Sequence, residues 1–151
     1  MRKSSVLLVG VVLLGLSVGV SSEARGRRHI KRTDDPVRAP LPFSDGVLVG
    51  DTLYLAGTIG LDPKTGRAHE NLEQEIRLAL EGMKETLGEA GMTMDDLVYV
   101  QVFSTDLSLF GDFNRIYRSY FKDNFPARAF IGSGPLLLGG RFEIQGIAVK
   151  R

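Results

Sequence analysis

The pattern of apolar positions predicts two helices and five strands between residue 41 and the C-terminus. The clearest helix covers residues 71–90, where apolar residues recur at steps of three and four and most charged residues lie off that stripe. Asn71 is a suitable N-cap for this helix, and Gly91 is a suitable residue just past its end. The apolar stripe is expected to pack on one face of a sheet.

Two short strands precede that helix and a third strand follows it. Residues 47–49 and 52–56 flank Gly50 and Asp51, which form a hairpin-turn signal. The run 96–105 is apolar at both its even and its odd positions. This pattern favours an interior strand, covered by helices on one face and by another subunit on the other.

A second helix and two further strands complete the predicted order. The helix follows the candidate N-cap Asp106 and runs over residues 107–122. One of the last strands surrounds Arg128, the other covers residues 141–149, and a loop rich in Pro and Gly separates them. The order β-β-α-β-α-β-β predicts a single-domain α+β fold, in which two helices cover one face of a mixed sheet.

Arg128 and Glu143 are the candidate functional residues of the last two strands. Arg128 has apolar neighbours, and a guanidinium in such a place needs an acceptor, for which a carboxylate suits its planar fork. Glu143 shares a strand face with Gln145, and the loop is expected to bring its strand close to that of Arg128. The pair fits a structural salt bridge, and it equally fits a site that binds a carboxylate and orients a water.

Composition removes several classes of function. The 151 residues allow one ordinary domain. There is no cysteine, which excludes disulfides, thiolate metal sites and thiol nucleophiles. The two histidines, His29 and His69, are too few for a histidine metal cage within one chain, so no metal site is expected.

The N-terminal 40 residues are predicted to lie outside the folded domain, which would cover residues 41–151. Residues 1–24 combine a basic start, a short apolar run and small residues, as a signal peptide does. We therefore expect a secreted or periplasmic protein with no stable membrane span after cleavage; an uncleaved N-terminal membrane anchor is the alternative. Residues 25–40 are predicted to be a basic, polar linker. No nucleic acid partner is expected, because the domain shows no matching basic stripe.

The last third of the chain carries motifs of a known family. F-P-A-R at residues 125–128, followed by E-I-x-x-I-A-V from Glu143, resembles the C-terminal signature of the RidA/YjgF family of small trimeric imine and enamine deaminases. The resemblance runs from about Pro42 to Arg151 and includes A-G-x-I-G-x-D-P-K-T-G from Ala56. The order and spacing of these motifs are specific, although each motif alone is weak.

The resemblance implies a chorismate-mutase-like fold and a homotrimer with pockets at its subunit interfaces. It implies hydrolytic deamination of reactive 2-imino or enamine acids to 2-keto acids and ammonia, with no cofactor. Arg128 would bind the substrate carboxylate, Glu143 would position the water, and backbone N–H groups near Gly57 would line the pocket. Further substrate-binding positions are expected at Phe43, Thr58 and Phe130.

The chain departs from the family pattern around that site. A frequent tyrosine is Phe43, the serine and glutamine of S-G-Q-I are Ala56 and Thr58, and a frequent cysteine is Phe130. Gln145 stands where an acid is often found. These changes make the pocket drier and support an alternative, a non-catalytic trimeric protein that binds a small carboxylate or a partner protein. Ribonuclease activity, attributed to some members, has no catalytic histidine pair to support it here.

Overall fold

A computed structural model describes residues 26–32, 41–122 and 124–151. The strands of this part of the chain are β1 (Arg27–Ile30), β2 (Gly46–Val49), β3 (Thr52–Ile59), β4 (Leu97–Ser104), β5 (Ala127–Gly132) and β6 (Phe142–Val149). The helices are α1 (Leu72–Glu89) and α2 (Phe110–Tyr117), and short 3₁₀ turns flank α2 at Leu107–Leu109 and Arg118–Tyr120. Each predicted helix and strand of residues 41–151 is therefore present, and the second helix is shorter than predicted.

The strands form one mixed sheet in the order β1-β2-β3-β6-β4-β5. All neighbouring strands are antiparallel except β4 and β5, which are parallel. Strand β4 lies between β6 and β5, as its apolar character on both faces predicts. The α+β prediction, with two helices packed on a mixed sheet, is confirmed.

Helix α1 begins and ends where its capping residues predict. The Asn71 side chain accepts a hydrogen bond from the Gln74 N–H at 3.0 Å. Gly91 has a φ of 71°, a left-handed conformation that glycine adopts without strain. The apolar stripe of α1 is buried against the sheet, with Ile76, Leu80, Met83 and Leu87 fully inaccessible to solvent. This stripe is core, as predicted.

The two faces of the sheet differ in what covers them. Along β6, Phe142, Ile144 and Ala148 are buried beneath the helices, and Glu143 and Gln145 alternate with them on the other side. We call that other side the open face. It also carries Tyr54 and Val149, which are 51% and 38% exposed.

The structure corrects the predicted linker over residues 25–40 at Arg27–Ile30, which form an edge strand. Strand β1 pairs with β2 in antiparallel register, and the Ile30 side chain is 3% exposed in the core. The basic residues concealed this strand, because at a sheet edge only one side chain of the four needs to be buried. The predicted signal peptide, residues 1–24, lies outside the described residues. Of the helices that are described, none is long and apolar enough to cross a membrane.

Substitution of Gly60 tests how closely the end of β3 approaches the first turn of α1. A Cβ atom at this position would lie 1.8 Å from the backbone oxygen of Glu75, so Gly60→Ala would force the backbone at Gly60 away from that of α1. We expect this substitution to lower the free energy of unfolding by about 3 kcal/mol, as overpacking does. Urea unfolding at a fixed protomer concentration measures the change.

Gly88→Ala is the matched control for Gly60→Ala. Nothing lies within 4 Å of a Cβ atom at Gly88, which is in α1. This change should raise stability by up to about 1 kcal/mol through helix propensity. Equal stability of the two variants would contradict the close approach of β3 to α1.

Candidate functional site

Arg128 lies on edge strand β5 and points to the helix side of the sheet. Its guanidinium carbon is 4.6 Å from the ring centre of Tyr117 and 5.7 Å from that of Phe110, both on α2. Its Nη2 atom donates to the Asn114 side-chain oxygen at 2.6 Å. One face of α2, at steps of four and three residues, therefore holds the guanidinium.

Among the described residues, no acidic side chain shifts the pKa of Arg128. Burial lowers the pKa of Arg128, and the nearby Arg118 lowers that pKa further. Tyr117, which acts in the opposite direction, is a neutral group at ordinary pH, because burial raises the pKa of its hydroxyl to about 12. A partly desolvated guanidinium with no carboxylate among the groups that shift its pKa is suited to receive an anion.

A cavity of about 400 Å³ opens beside this guanidinium. Phe110 and Phe125, which are 47% and 54% exposed, form its apolar wall, and Asn114 and Arg118 contribute polar groups. This combination of a fixed cation and exposed rings fits a small organic carboxylate.

Glu143 lies on β6 and points to the open face. A Cβ atom at Gly57 would lie 1.9 Å from its Oε1 atom, so the carboxylate rests directly against the Gly57 backbone. The register of β3 and β6 shifts between Leu55 and Thr58, which places Ala56 and Gly57 in a bulge. The bulge brings backbone, with no side chain, up to the carboxylate. An alanine at this position would have to displace the end of the Glu143 side chain.

The expectation that one chain brings Arg128 and Glu143 together is wrong. Strands β5 and β6 are not neighbours, because β4 lies between them. Arg128 is in register with Val100 and lies on the helix side, whereas Glu143 is in register with Phe103 and lies on the open face. A salt bridge between the two within one chain is excluded by strand order and by side-chain alternation.

The other predicted substrate-binding residues are also divided between the two sides of the sheet. Gly57 lies against Glu143, a contact that the sequence did not predict, and Phe130 is on the same side of β5 as Arg128. The Phe130 ring, however, packs between Phe110, Phe113 and Phe142 and does not line the cavity.

The Thr58 side chain points away from the open face. It is 6% exposed and packs against α1 at Gly82, because the bulge turns it to the helix side. Phe43 is 49% exposed in the segment before β2. Substrate binding by these two residues stays a prediction.

Sequence reasoning missed the α2 residues that hold Arg128. The helix pattern predicts Phe110 and Tyr117 as core aromatics, and it gives Asn114 no role. The signal was the polar Asn114 between two aromatics on one helix face, since an amide flanked by rings has to find a partner. In the described residues no group of three or more potential metal ligands occurs.

Comparison with known proteins places this chain in a family. The family model described as endoribonuclease L-PSP matches residues 33–150. The chain is 38% identical over 125 residues to the human protein named 2-iminobutanoate/2-iminopropanoate deaminase. The alignment covers 80% of this chain and 91% of the human protein. The chain belongs to the RidA/YjgF family.

Solved structures of the RidA/YjgF family share this fold. RidA from the Antarctic bacterium Psychrobacter sp. superposes with a TM-score of 0.73 at 32% identity, covering 81% of this chain and 99% of that one. TdcF from E. coli, solved with bound serine, superposes with a TM-score of 0.74 at 29% identity, covering 82% of this chain and 100% of that one. The family prediction is therefore confirmed.

Tyr117→Phe tests the environment of the Arg128 guanidinium. The Tyr117 hydroxyl is buried without a hydrogen-bond partner in the described part of the chain. Its removal should leave the free energy of unfolding unchanged or raise it by about 1 kcal/mol, since an unsatisfied buried group is lost. Tyr117→Leu, which also removes the ring below the guanidinium, should lower stability. A loss of stability in Tyr117→Phe as large as in Tyr117→Leu would mean that the hydroxyl has a partner outside the described residues.

Proposed function

We propose that the protein hydrolyses reactive 2-imino or enamine acids to 2-keto acids and ammonia. The observation that carries this proposal is the Arg128 guanidinium, which is half-buried among rings beside a cavity and, within the described part of the chain, has no carboxylate acting on its pKa. A site of this kind favours a small substrate with a carboxylate group. Several relatives, including the human protein, are named 2-iminobutanoate/2-iminopropanoate deaminase, which supports the same chemistry.

The active site in this proposal is formed by two chains of a homotrimer. Arg128 and Glu143 lie on opposite sides of one sheet, so a second copy is needed to bring the carboxylate of one chain to the guanidinium of another. Two features support association. The open face exposes Tyr54, Ile131 and Val149 by more than a third, and β5 leaves its outer edge unpaired in the described residues.

The proposed chemistry needs positioning and electrostatics only. Arg128 of one chain binds the substrate carboxylate. Glu143 of another chain accepts a proton as water adds to the carbon of the protonated imine, which gives a neutral carbinolamine. That proton then passes to the carbinolamine nitrogen, and ammonia leaves as the hydroxyl group gives its own proton to Glu143 and becomes the keto oxygen. Backbone N–H groups of the bulge at Gly57 line the pocket. The imine carbon is already electrophilic, so these steps proceed through side chains, backbone and water alone.

We further propose that this deaminase acts outside the cytoplasm. The basic start and apolar run of residues 1–24 support export. Cleavage after Ser22 or Ala24 would leave strand β1 intact, since β1 begins at Arg27. N-terminal sequencing of the protein recovered from culture medium or periplasm tests this, and an intact N-terminus in a membrane fraction would favour the anchored alternative.

Arg128→Ala and Glu143→Gln should each abolish most of the activity. The assay generates 2-imino acids with an amino-acid oxidase and follows 2-keto acid release above the uncatalysed rate. We expect kcat/KM to fall by about 10²–10³-fold for Arg128→Ala, because the carboxylate loses its charged partner. Glu143→Gln should lower it by about 10²–10⁴-fold, the range for a general base.

Arg115→Ala is the matched control for those variants. Arg115 lies on α2 beside the site-forming residues, but it pairs with Glu73 on the surface. Its removal should leave kcat/KM unchanged. An inactive wild-type protein that still binds small carboxylates through Arg128 would replace the deaminase proposal with the non-catalytic alternative.

Mixed oligomers test whether two chains form the site. Arg128→Ala and Glu143→Gln chains are co-expressed in equal amounts, all oligomers are purified together, and two different tags show that mixed species have formed. Random assembly of equal amounts would give an intact Arg128 facing an intact Glu143 at about a quarter of the sites, if a site takes one group from each chain. Recovery of about a quarter of wild-type activity is expected. No recovery in a demonstrably mixed oligomer would contradict a site shared between chains.

A further inference from the structure

We propose that Arg32 is a positioning residue for the half of the site that contains Glu143 and Gly57. This inference rests on the proposed deaminase function. It concerns a residue from the segment that the sequence predicts to be a linker, and it assigns that segment a role in the reaction. Arg32 does not contact Glu143, so its effect has to pass through the backbone of β3.

Arg32 is a nearly buried cation with acidic partners on two elements. Its side chain is 13% exposed, and that of Asp45 is 14% exposed. The Arg32 N–H donates to Asp45 Oδ2 at 2.9 Å, and its Nε and Nη2 atoms each lie 3.4 Å from Asp45 Oδ1. Its Nη1 atom donates to Glu85 Oε2 on α1 at 3.3 Å. The guanidinium therefore ties the residue before β2 to helix α1.

The absence of a side chain at Gly82 leaves space on the surface of α1 for this guanidinium. A Cβ atom at Gly82 would lie 2.5 Å from Arg32 Nη1 and 2.9 Å from Thr58 Cγ2. Arg32 and Thr58 therefore fill the same space above the helix backbone. An alanine at this position would displace at least one of them. Arg32 thus supports β3 from the helix side at Thr58, the residue next to Gly57.

Asp45 connects Arg32 to the other end of the bulge. The Asp45 carbonyl oxygen accepts a hydrogen bond from the Ala56 N–H at 2.9 Å. Ala56 and Gly57 are the bulge residues, and the Glu143 carboxylate rests on Gly57. Arg32 therefore fixes the bulge at both ends, through Asp45 at Ala56 and through packing at Thr58.

A shift of this bulge would move the Glu143 carboxylate and the Gly57 backbone relative to the substrate. Displacements of about 1 Å at a catalytic group can reduce rates by about 10²-fold. The Arg128 half of the site lies on a different strand and on the other side of the sheet, and the contacts described for its guanidinium are with α2. Loss of Arg32 should therefore lower catalysis without weakening carboxylate binding.

The first test is the division of the effect between kcat and KM. Arg32→Ala should lower kcat by about 10–100-fold and change KM, and the inhibition constant of propanoate, by less than about twofold. Arg32→Lys, which keeps the charge, should recover part of kcat. Arg28→Ala is the matched control, because Arg28 also reaches α1 from the N-terminal segment, and within the described ranges its side chain donates only to the Glu89 carbonyl oxygen. It should leave kcat unchanged.

The second test assigns Arg32 to one half of the site by complementation. Arg32→Ala chains mixed with Arg128→Ala chains should recover about a quarter of wild-type activity, because some sites combine an intact Arg128 with an intact Glu143 half. Arg32→Ala chains mixed with Glu143→Gln chains should recover none. If Arg32→Ala impaired folding in general, neither mixture would recover activity. If it acted on the Arg128 half, only the mixture with Glu143→Gln chains would recover activity. Either result overturns the proposal.

Gly82→Ala provides a variant that keeps Arg32 and favours the helix. It displaces the guanidinium or Thr58 while raising helix propensity, so a folding defect is less of a concern than for Arg32→Ala. It should reproduce the loss of kcat at unchanged KM, and full activity would overturn the proposal. If the Arg128→Ala and Glu143→Gln mixture alone fails to recover, the two-chain site is wrong, and the division between kcat and KM still decides the role of Arg32.

Discussion

The ion pair between Glu75 and Arg141 is the constraint on which the arrangement of this fold depends. Glu75 is completely buried in the first turn of α1, and its Oε2 atom accepts from Arg141 Nε at 2.5 Å. Its Oε1 atom accepts from the backbone N–H groups of Arg141 and Phe142, at the start of β6. Removal of one partner of a buried pair typically costs about 3–5 kcal/mol, because the other charge stays buried. The pair thereby fixes the start of β6 against the helix.

The same pair fixes which side chains of β6 face the site. Arg141 also donates to the carbonyl oxygens of His69 and Glu70, which leads the chain into α1. With Phe142 held toward the helices, alternation along the strand sends Glu143 to the open face. A shift of one residue in this register would bury the carboxylate under the helices and expose Phe142. The position of Glu143, the proposed general base, thus follows from a structural ion pair that involves Arg141, two residues earlier in the chain.

The elements of the fold could be predicted from sequence where a pattern is local. Caps and apolar spacing located α1, and alternation placed Phe142 and Glu143 on opposite sides of β6. The features that could not be predicted depend on contacts between residues that are far apart in the sequence. Strand order, which separates Arg128 from Glu143, depends on β4 inserting between their strands, and the bulge that turns Thr58 inward depends on pairing of β3 with β6. Strand β1 escaped notice because only Ile30 carries its apolar signal.

The two halves of the site are each incomplete in a way that stability alone does not explain. Arg128 is desolvated over the Tyr117 ring with an amide partner, although a carboxylate would neutralise it better. Gly57 has no side chain, and the Glu143 carboxylate lies directly against its backbone. Elsewhere the chain pairs its buried charges, as Glu75 with Arg141 and Arg32 with Asp45. Among the described residues Arg128 departs from this rule at the edge of a cavity, and its proposed role in binding an external anion accounts for that departure.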